Sequence, residues 1–175
     1  MEAVVGVTSI LVAVDYIERV RAQWAERLPD IDTSPAEVGA RVRRIAALLE
    51  AELADDLAAE EVTRAELDVL TALRRSGRPL RAGEVTTMTG SPGASITKRL
   101  DRLERAGLVE RAVHERDKRG VLVALTARGE SLVDELFPRQ IEHERSALTD
   151  LSVTERAELG RLLAVVLRRL DPRDY

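Results

Sequence analysis

Residues 91–119 read SPGASITKRLDRLERAGLVERAVHERDKR, and this stretch decides the fold. Ser91 is placed to cap a helix, and Pro92 fits its first position. Ile96, Leu100 and Leu103 recur at helical spacing and give one apolar face. Gly107 is the residue type that ends a helix. Residues 108–113, LVERAV, and 121–125, VLVAL, then read as two strands. The segment between them, HERDKRG, carries too much charge to be buried. A helix followed by a hairpin with a basic tip forms the reading half of a winged helix-turn-helix. The helix suits the major groove, and the tip suits phosphates or the minor groove. The plain alternative is a solvated amphipathic helix beside an ordinary hairpin. The order of elements weighs against it: a helix lies just before Ser91, a tight turn joins the two, and a long helix follows the hairpin.

Working outward, residues 9–28 place Ile10, Ala13, Ile17, Val20, Trp24 and Leu28 at steps of 3 or 4, which predicts an amphipathic helix ended by Pro29. Ser34, Pro35 and Glu37 predict a capping box at the start of the next helix. Val38, Val42, Ile45, Leu49, Leu53 and Leu57 continue it as one stripe. That is more apolar length than a small lobe covers alone, so a partner subunit is expected on part of it. Thr63 and Glu66 form another box, opening a helix with Leu67, Leu70 and Leu73 that ends near Gly77. Residues 81–89 make a weaker helix, because Gly83 and three threonines lower its propensity. Val85 and Met88 are its expected core contacts. Thr126 is positioned to cap a long helix with Leu132, Val133, Leu136, Phe137 and Ile141 on one side, which Pro138 should kink or break. Ser152 and Glu155 box the last helix, with Leu159, Leu162, Leu163, Val166 and Leu170.

The fold class read from this order is mainly α with a small β-wing. It is a single domain over 1–175, in which a winged helix-turn-helix (62–125) is flanked by N-terminal (9–61) and C-terminal (126–170) dimerisation helices.

Composition bounds the function. Of 175 residues, 45% are hydrophobic and only 2% aromatic, so Leu, Val, Ile and Ala must fill the core. The absence of cysteine excludes disulfides, zinc–cysteine sites and thiol chemistry. Two histidines, His114 and His143, with no carboxylate cluster spaced around them, give no metal site and no cofactor. Residues 3–14 are mildly apolar, but Asp15 and Glu18 follow at once. The expectation is a cytoplasmic protein without a membrane span. The net charge is −4, yet positions 98–119 hold eight Lys or Arg against five Asp or Glu, a local +3 on a body that carries −7. A basic reading surface on an acidic body is compatible with DNA binding and predicts steep salt dependence.

In detail the chain resembles the MarR family of bacterial transcription regulators over residues 34–170. The likeness rests on Asp68-Val69-Leu70 with Leu73, on TKRLDRLE at 97–104, and on GLVER at 107–111. It continues in Asp117-Lys118-Arg119 and in VALT at 123–126 with Gly129. Thr86 and Thr89 depart from it, where the family usually has a small residue and a leucine, which leaves the register of the first motif helix open. The resemblance implies a homodimer on a palindromic operator of double-stranded DNA, often released by a small ligand. On that basis Ser95, Thr97, Lys98 and Arg102 are expected at base edges or nearby phosphates. Arg119 is expected in the minor groove, held by Asp117, with Arg116 and Lys118 on phosphates.

A narrower likeness is to the family's urate-responsive subgroup, which adds an N-terminal helix with a tryptophan. Trp24, Asp68, Arg99 and Arg111 stand at the matching places. They imply a crevice for a small anionic ligand such as urate or another planar acid, with Asp68 holding Arg99 in its absence. The alternatives are that Trp24 only packs, that Asp68 and Arg99 form a structural ion pair, and that Arg111 binds a phosphate.

Two rival functions stand beside this reading. An enzyme is disfavoured, since no Ser-His-Asp set, phosphate loop or metal motif is visible. A winged-helix protein-interaction module without DNA binding is disfavoured by Arg116, Lys118 and Arg119 together at the wing tip.

Overall fold

The computed structural model describes residues 15–113 and 121–172. Eight helices and three short strands appear among them: α1 (Tyr16–Arg27), α2 (Ser34–Glu52), α3 (Ala54–Ala59), α4 (Arg64–Ser76), β1 (Leu80–Arg81), α5 (Ala82–Thr89), α6 (Gly93–Arg105), β2 (Val109–Val113), β3 (Val121–Leu125), α7 (Ala127–Ala147) and α8 (Val153–Leu170). The chain is mainly helical with a small sheet, as the sequence predicts. It divides into two compact units, with the boundary inside α2 after Leu48.

In the first unit, Asp15 caps α1 by accepting the Glu18 N–H at 2.8 Å. Ile10 and Ala13 of the expected longer helix lie outside the described residues. The Arg41 guanidinium meets Asp15 at 2.7 Å and, chiefly through that hydrogen bond, holds its carboxyl below the usual carboxylate range. Neither α1 nor α2 has a buried residue, and Val38, Val42 and Ile45 of α2 are exposed. The predicted Ser34–Glu37 box does not form. Ser34 instead gives both its N–H and its hydroxyl to Asp32, at 2.9 and 3.0 Å, and Glu37 pairs with Arg41.

The second unit holds the core. The stripe expected to run unbroken from Val38 to Leu57 is interrupted at Leu53, between α2 and α3. Leu53 and Leu57 turn into the core, buried with Leu67, Leu70 and Leu73 of α4, Val85 of α5, Ile96, Leu100 and Leu103 of α6, and Leu132, Val133 and Leu136 of α7. Leu53 and Leu57, the end of the expected stripe, thus pack with the winged-helix core. Each such burial contributes roughly 1.5–3 kcal/mol.

Thr63 and Glu66 form the predicted capping box on α4, and Ser152 and Glu155 the one on α8. Glu155 is held below the usual carboxylate range by the Ser152 hydroxyl and backbone. Pro138 neither ends nor divides α7, which runs through it to Ala147. A proline costs one backbone hydrogen bond, and packing of Leu132, Val133 and Leu136 holds the preceding turns in place. Among the described residues no helix is long and apolar enough to cross a membrane.

The sheet is antiparallel in the order β1-β3-β2, with Val109 opposite Leu125 and Leu80 opposite Val123. β1 is two residues long and carries no alternation to read, so the sequence did not signal it. The end of α6, the start of the hairpin and the start of α7 meet at one junction. Gly107 reverses the chain at φ 69°, in the left-handed region that favours glycine. Thr126 then donates to the Gly107 carbonyl at 2.7 Å and caps α7 through Gly129 N–H at 3.1 Å. A Cβ on Gly129 would stand 2.0 Å from the Leu108 carbonyl oxygen, so only glycine lets the two backbones approach this closely.

Candidate nucleic-acid interface

α5, a tight turn and α6 form the helix-turn-helix, and β2 and β3 form the wing. α5 is short and poor in helix formers. Thr86, Thr87 and Thr89 each return a hydroxyl to the carbonyl four residues back, at 3.0, 3.2 and 2.9 Å. Its start is fixed by Glu84, which accepts from the Arg78 guanidinium at 2.7 Å and from the Arg81 N–H at 2.8 Å. These contacts, Arg78 first, hold the Glu84 carboxyl below its ordinary range. Val85 is buried and Met88 packs against the core, as expected.

α6 begins at Gly93, with Pro92 at the cap position and no side-chain cap. The predicted capping by Ser91 does not form; Ser95 donates its hydroxyl to the Pro92 carbonyl at 2.7 Å, which leaves the first N–H groups of the helix without a side-chain cap. Ile96, Leu100 and Leu103 face inward as predicted. Thr97 and Lys98 are exposed on the opposite face and make no side-chain hydrogen bond or ion pair with other described residues. Lys98 is one of only two lysines in the chain, the other being Lys118.

Arg102 is not free in the same way. Its Nε lies 3.4 Å from Glu66 Oε1, and its Nη2 donates to the Glu61 carbonyl at 3.2 Å. Arg116, Asp117, Lys118 and Arg119 lie outside the described residues.

The four residues expected at a ligand crevice are engaged differently from the expectation. Asp68 does not hold Arg99; it accepts from Arg64 at 3.1 Å, one helical turn away on the same helix. Nη1 of Arg99 is buried and has no hydrogen-bond partner among the described residues. Arg111, on β2, meets Asp101 at 2.6 Å and Glu104 at 3.4 Å, tying the wing to α6. Trp24 sits on α1 with 53% of its surface exposed. The sequence reading missed that Asp101 and Glu104 would claim Arg111. Their spacing of three on α6, with Arg111 soon after, was the available signal. It also missed the Glu66–Arg102 contact, which joins residues too far apart in sequence to be paired by pattern.

The matches to known proteins agree with this geometry. The sequence profile of the MarR family matches residues 61–120, from the start of α4 to the wing. The HTH-type transcriptional regulator PecS of Dickeya dadantii (strain 3937) is 31% identical over 150 residues, covering 85% of this chain and 90% of that protein. The chain belongs to the MarR family. MarR-family chains of known structure share the fold. A mutant MarR from E. coli, complexed with operator DNA, superposes with a TM-score of 0.66 at 26% identity, covering 82% of this chain and 97% of that one. BpsR of Bordetella bronchiseptica, whose DNA binding is regulated by 6-hydroxynicotinic acid, gives 0.66 at 28% identity, covering 74% and 98%. The protein is a DNA-binding transcriptional regulator built on a MarR-type winged helix, and its relatives are regulators rather than enzymes.

Proposed function

We propose that the protein acts in the cytoplasm as a homodimeric repressor on a palindromic operator, read by the outer face of α6. The observation that carries the DNA reading is the contrast across that helix. Ile96, Leu100 and Leu103 are locked inward, while Thr97 and Lys98 point outward, exposed and uncommitted. Ser95 keeps acceptor lone pairs beside them. Arg119 of the wing would read the minor groove with Asp117 orienting it, and Arg116 and Lys118 would neutralise phosphates. Dimerisation is supported by α8, where Leu159, Leu162, Leu163, Val166 and Leu170 are 39–78% exposed although they form an apolar face. Two copies would then read half-sites about 10 bp apart. Selection of bound fragments from genomic DNA, followed by footprinting, tests this. A protected palindrome is expected, and protection without sequence preference defeats the proposal.

A ligand response is favoured by one specific atom. A buried guanidinium N–H with no acceptor is costly, and Arg99 Nη1, on the reading helix itself, has none among the described residues. A planar anion that accepts from Arg99 would bind one orientation of α6 better than another and so couple to DNA affinity. Asp68 and Arg111 would join that site only by leaving Arg64 and the Asp101–Glu104 pair. Titration with urate and with 6-hydroxynicotinate, following DNA release and the fluorescence of the sole tryptophan, Trp24, is the test. Release that persists undiminished in Arg99→Gln removes Arg99 from the ligand site.

A further inference from the structure

We propose that Glu66 is a positioning residue for DNA reading: through Arg102, its buried carboxylate fixes how α6 is rotated against α4. The proposal rests on α6 being the reading helix.

Glu66 is 3% exposed and is the one buried polar residue among those described. A carboxylate in that position needs partners for both oxygens. Oε2 accepts the Thr63 N–H and the Thr63 hydroxyl, each at 2.8 Å, which completes the cap of α4. The cap satisfies one oxygen and needs no arginine. Oε1 turns instead toward Arg102 Nε, 3.4 Å away, in the third turn of α6.

The same guanidinium donates through Nη2 to the carbonyl of Glu61. Glu61 is the only non-glycine residue with positive φ among those described, at 55°. Arg102 therefore clasps two points of one rigid corner, a strained turn and a capped helix start. A guanidinium paired with a carboxylate and bonded to a carbonyl adds directional contacts to the apolar ones of Leu100 and Leu103 and so narrows the rotation they allow. Thr97 and Lys98 lie about one turn earlier on the same helix, so a change in its rotation would sweep them across the groove. The outer edge of Arg102 is open to solvent, with 53% of the side chain exposed. The clasp can thus release without unpacking the core.

Direct phosphate contact by Arg102 is the competing assignment, and a double-mutant cycle separates the two. The probe is a duplex recovered by wild-type protein from genomic DNA, compared with a random duplex of equal length. Glu66→Gln keeps the size of the side chain and an oxygen for the Thr63 N–H, but removes the attraction for Arg102. It should weaken operator binding about tenfold and random-duplex binding less than about twofold, with little change in Tm. Arg102→Gln should match it, the double variant should be no worse than either, and the salt slope should stay at its wild-type value.

Additive losses, with the slope lowered by about one in every Arg102→Gln background, would place Arg102 on a phosphate and overturn the proposal. Parallel losses on both duplexes with a lowered Tm would reduce Glu66 to a cap and also overturn it. Should Glu66→Gln not fold, Arg102→Gln decides through specificity and salt slope alone. Lys98→Ala serves as the control: if it binds operator as wild type does, the assignment of α6 as reading helix fails, whatever the cycle shows.

Discussion

Thr126 Oγ1 donates to the Gly107 carbonyl at 2.7 Å while accepting the Gly129 N–H at 3.1 Å, so one hydroxyl closes α6 and opens α7. Thr126→Val keeps the shape and loses both bonds. It should destabilise the protein by about 1–2 kcal/mol, the usual worth of an N-cap. Thr126→Ser should restore most of it. Urea unfolding of the two variants at one protein concentration provides the comparison, and equal midpoints for Val and Thr would deny the hydroxyl this role.

Gly129→Ala meets a backbone oxygen rather than a movable side chain, since its Cβ would stand 2.0 Å from Leu108 O. Backbone must shift, and the expected loss is about 3 kcal/mol. Thermal unfolding checks it. A variant as stable as wild type would mean that the junction relaxes freely.

The Arg74 guanidinium grips Asp134 through two hydrogen bonds, at 2.9 and 2.8 Å, joining α4 to α7. Chiefly through the hydrogen bond, Arg74 holds the Asp134 carboxyl below its ordinary range. A carboxyl depressed on folding adds stability above its unfolded pKa and loses it as pH falls through the folded one. The Tm gap between wild type and Asp134→Asn should therefore be constant from neutral pH to about 5 and narrow progressively as pH falls below the ordinary Asp range of about 4. A gap that does not shrink at all as pH falls below the ordinary carboxylate range would assign it to something other than the charge.

α8 contributes no buried residue within one chain. Leu163→Glu should accordingly leave Tm of the core transition nearly intact, yet shift the protein toward monomer in sedimentation at micromolar concentration. Operator affinity should fall with it, because half-sites are then bound singly. Unchanged sedimentation would remove this face from the dimer interface.

Much of this architecture was legible in the sequence, because it follows from local rules. Thr63 with Glu66, Ser152 with Glu155, and Thr126 announce helix starts by chemistry that acts within four residues. Gly77 and Gly107 end helices for an equally local reason. The errors share another cause. Ser34 has the look of a cap, but Asp32, two residues earlier, competes for its N–H and hydroxyl. The stripe through Leu53 keeps its period across a break that tertiary burial imposes. Resemblance matches Asp68 with Arg99, but Arg64 lies one turn away and reaches it first. Glu66–Arg102 and Arg111–Asp101 are products of packing between elements, which no period in the sequence encodes. The exposure of Thr97 and Lys98 was readable because it follows from helical phase alone.

The scarcity of lysine has a practical side. Nearly all cationic side chains here are arginines, whose guanidiniums do not react with acylating reagents at neutral pH. Lys98 and Lys118 are the only side-chain amines. An amine-selective label therefore addresses just two side chains, both on elements assigned to DNA, plus the chain's terminal amine. Mass spectrometry of protein labelled with and without duplex becomes a two-point footprint of the bound state, free of background from the rest of the surface.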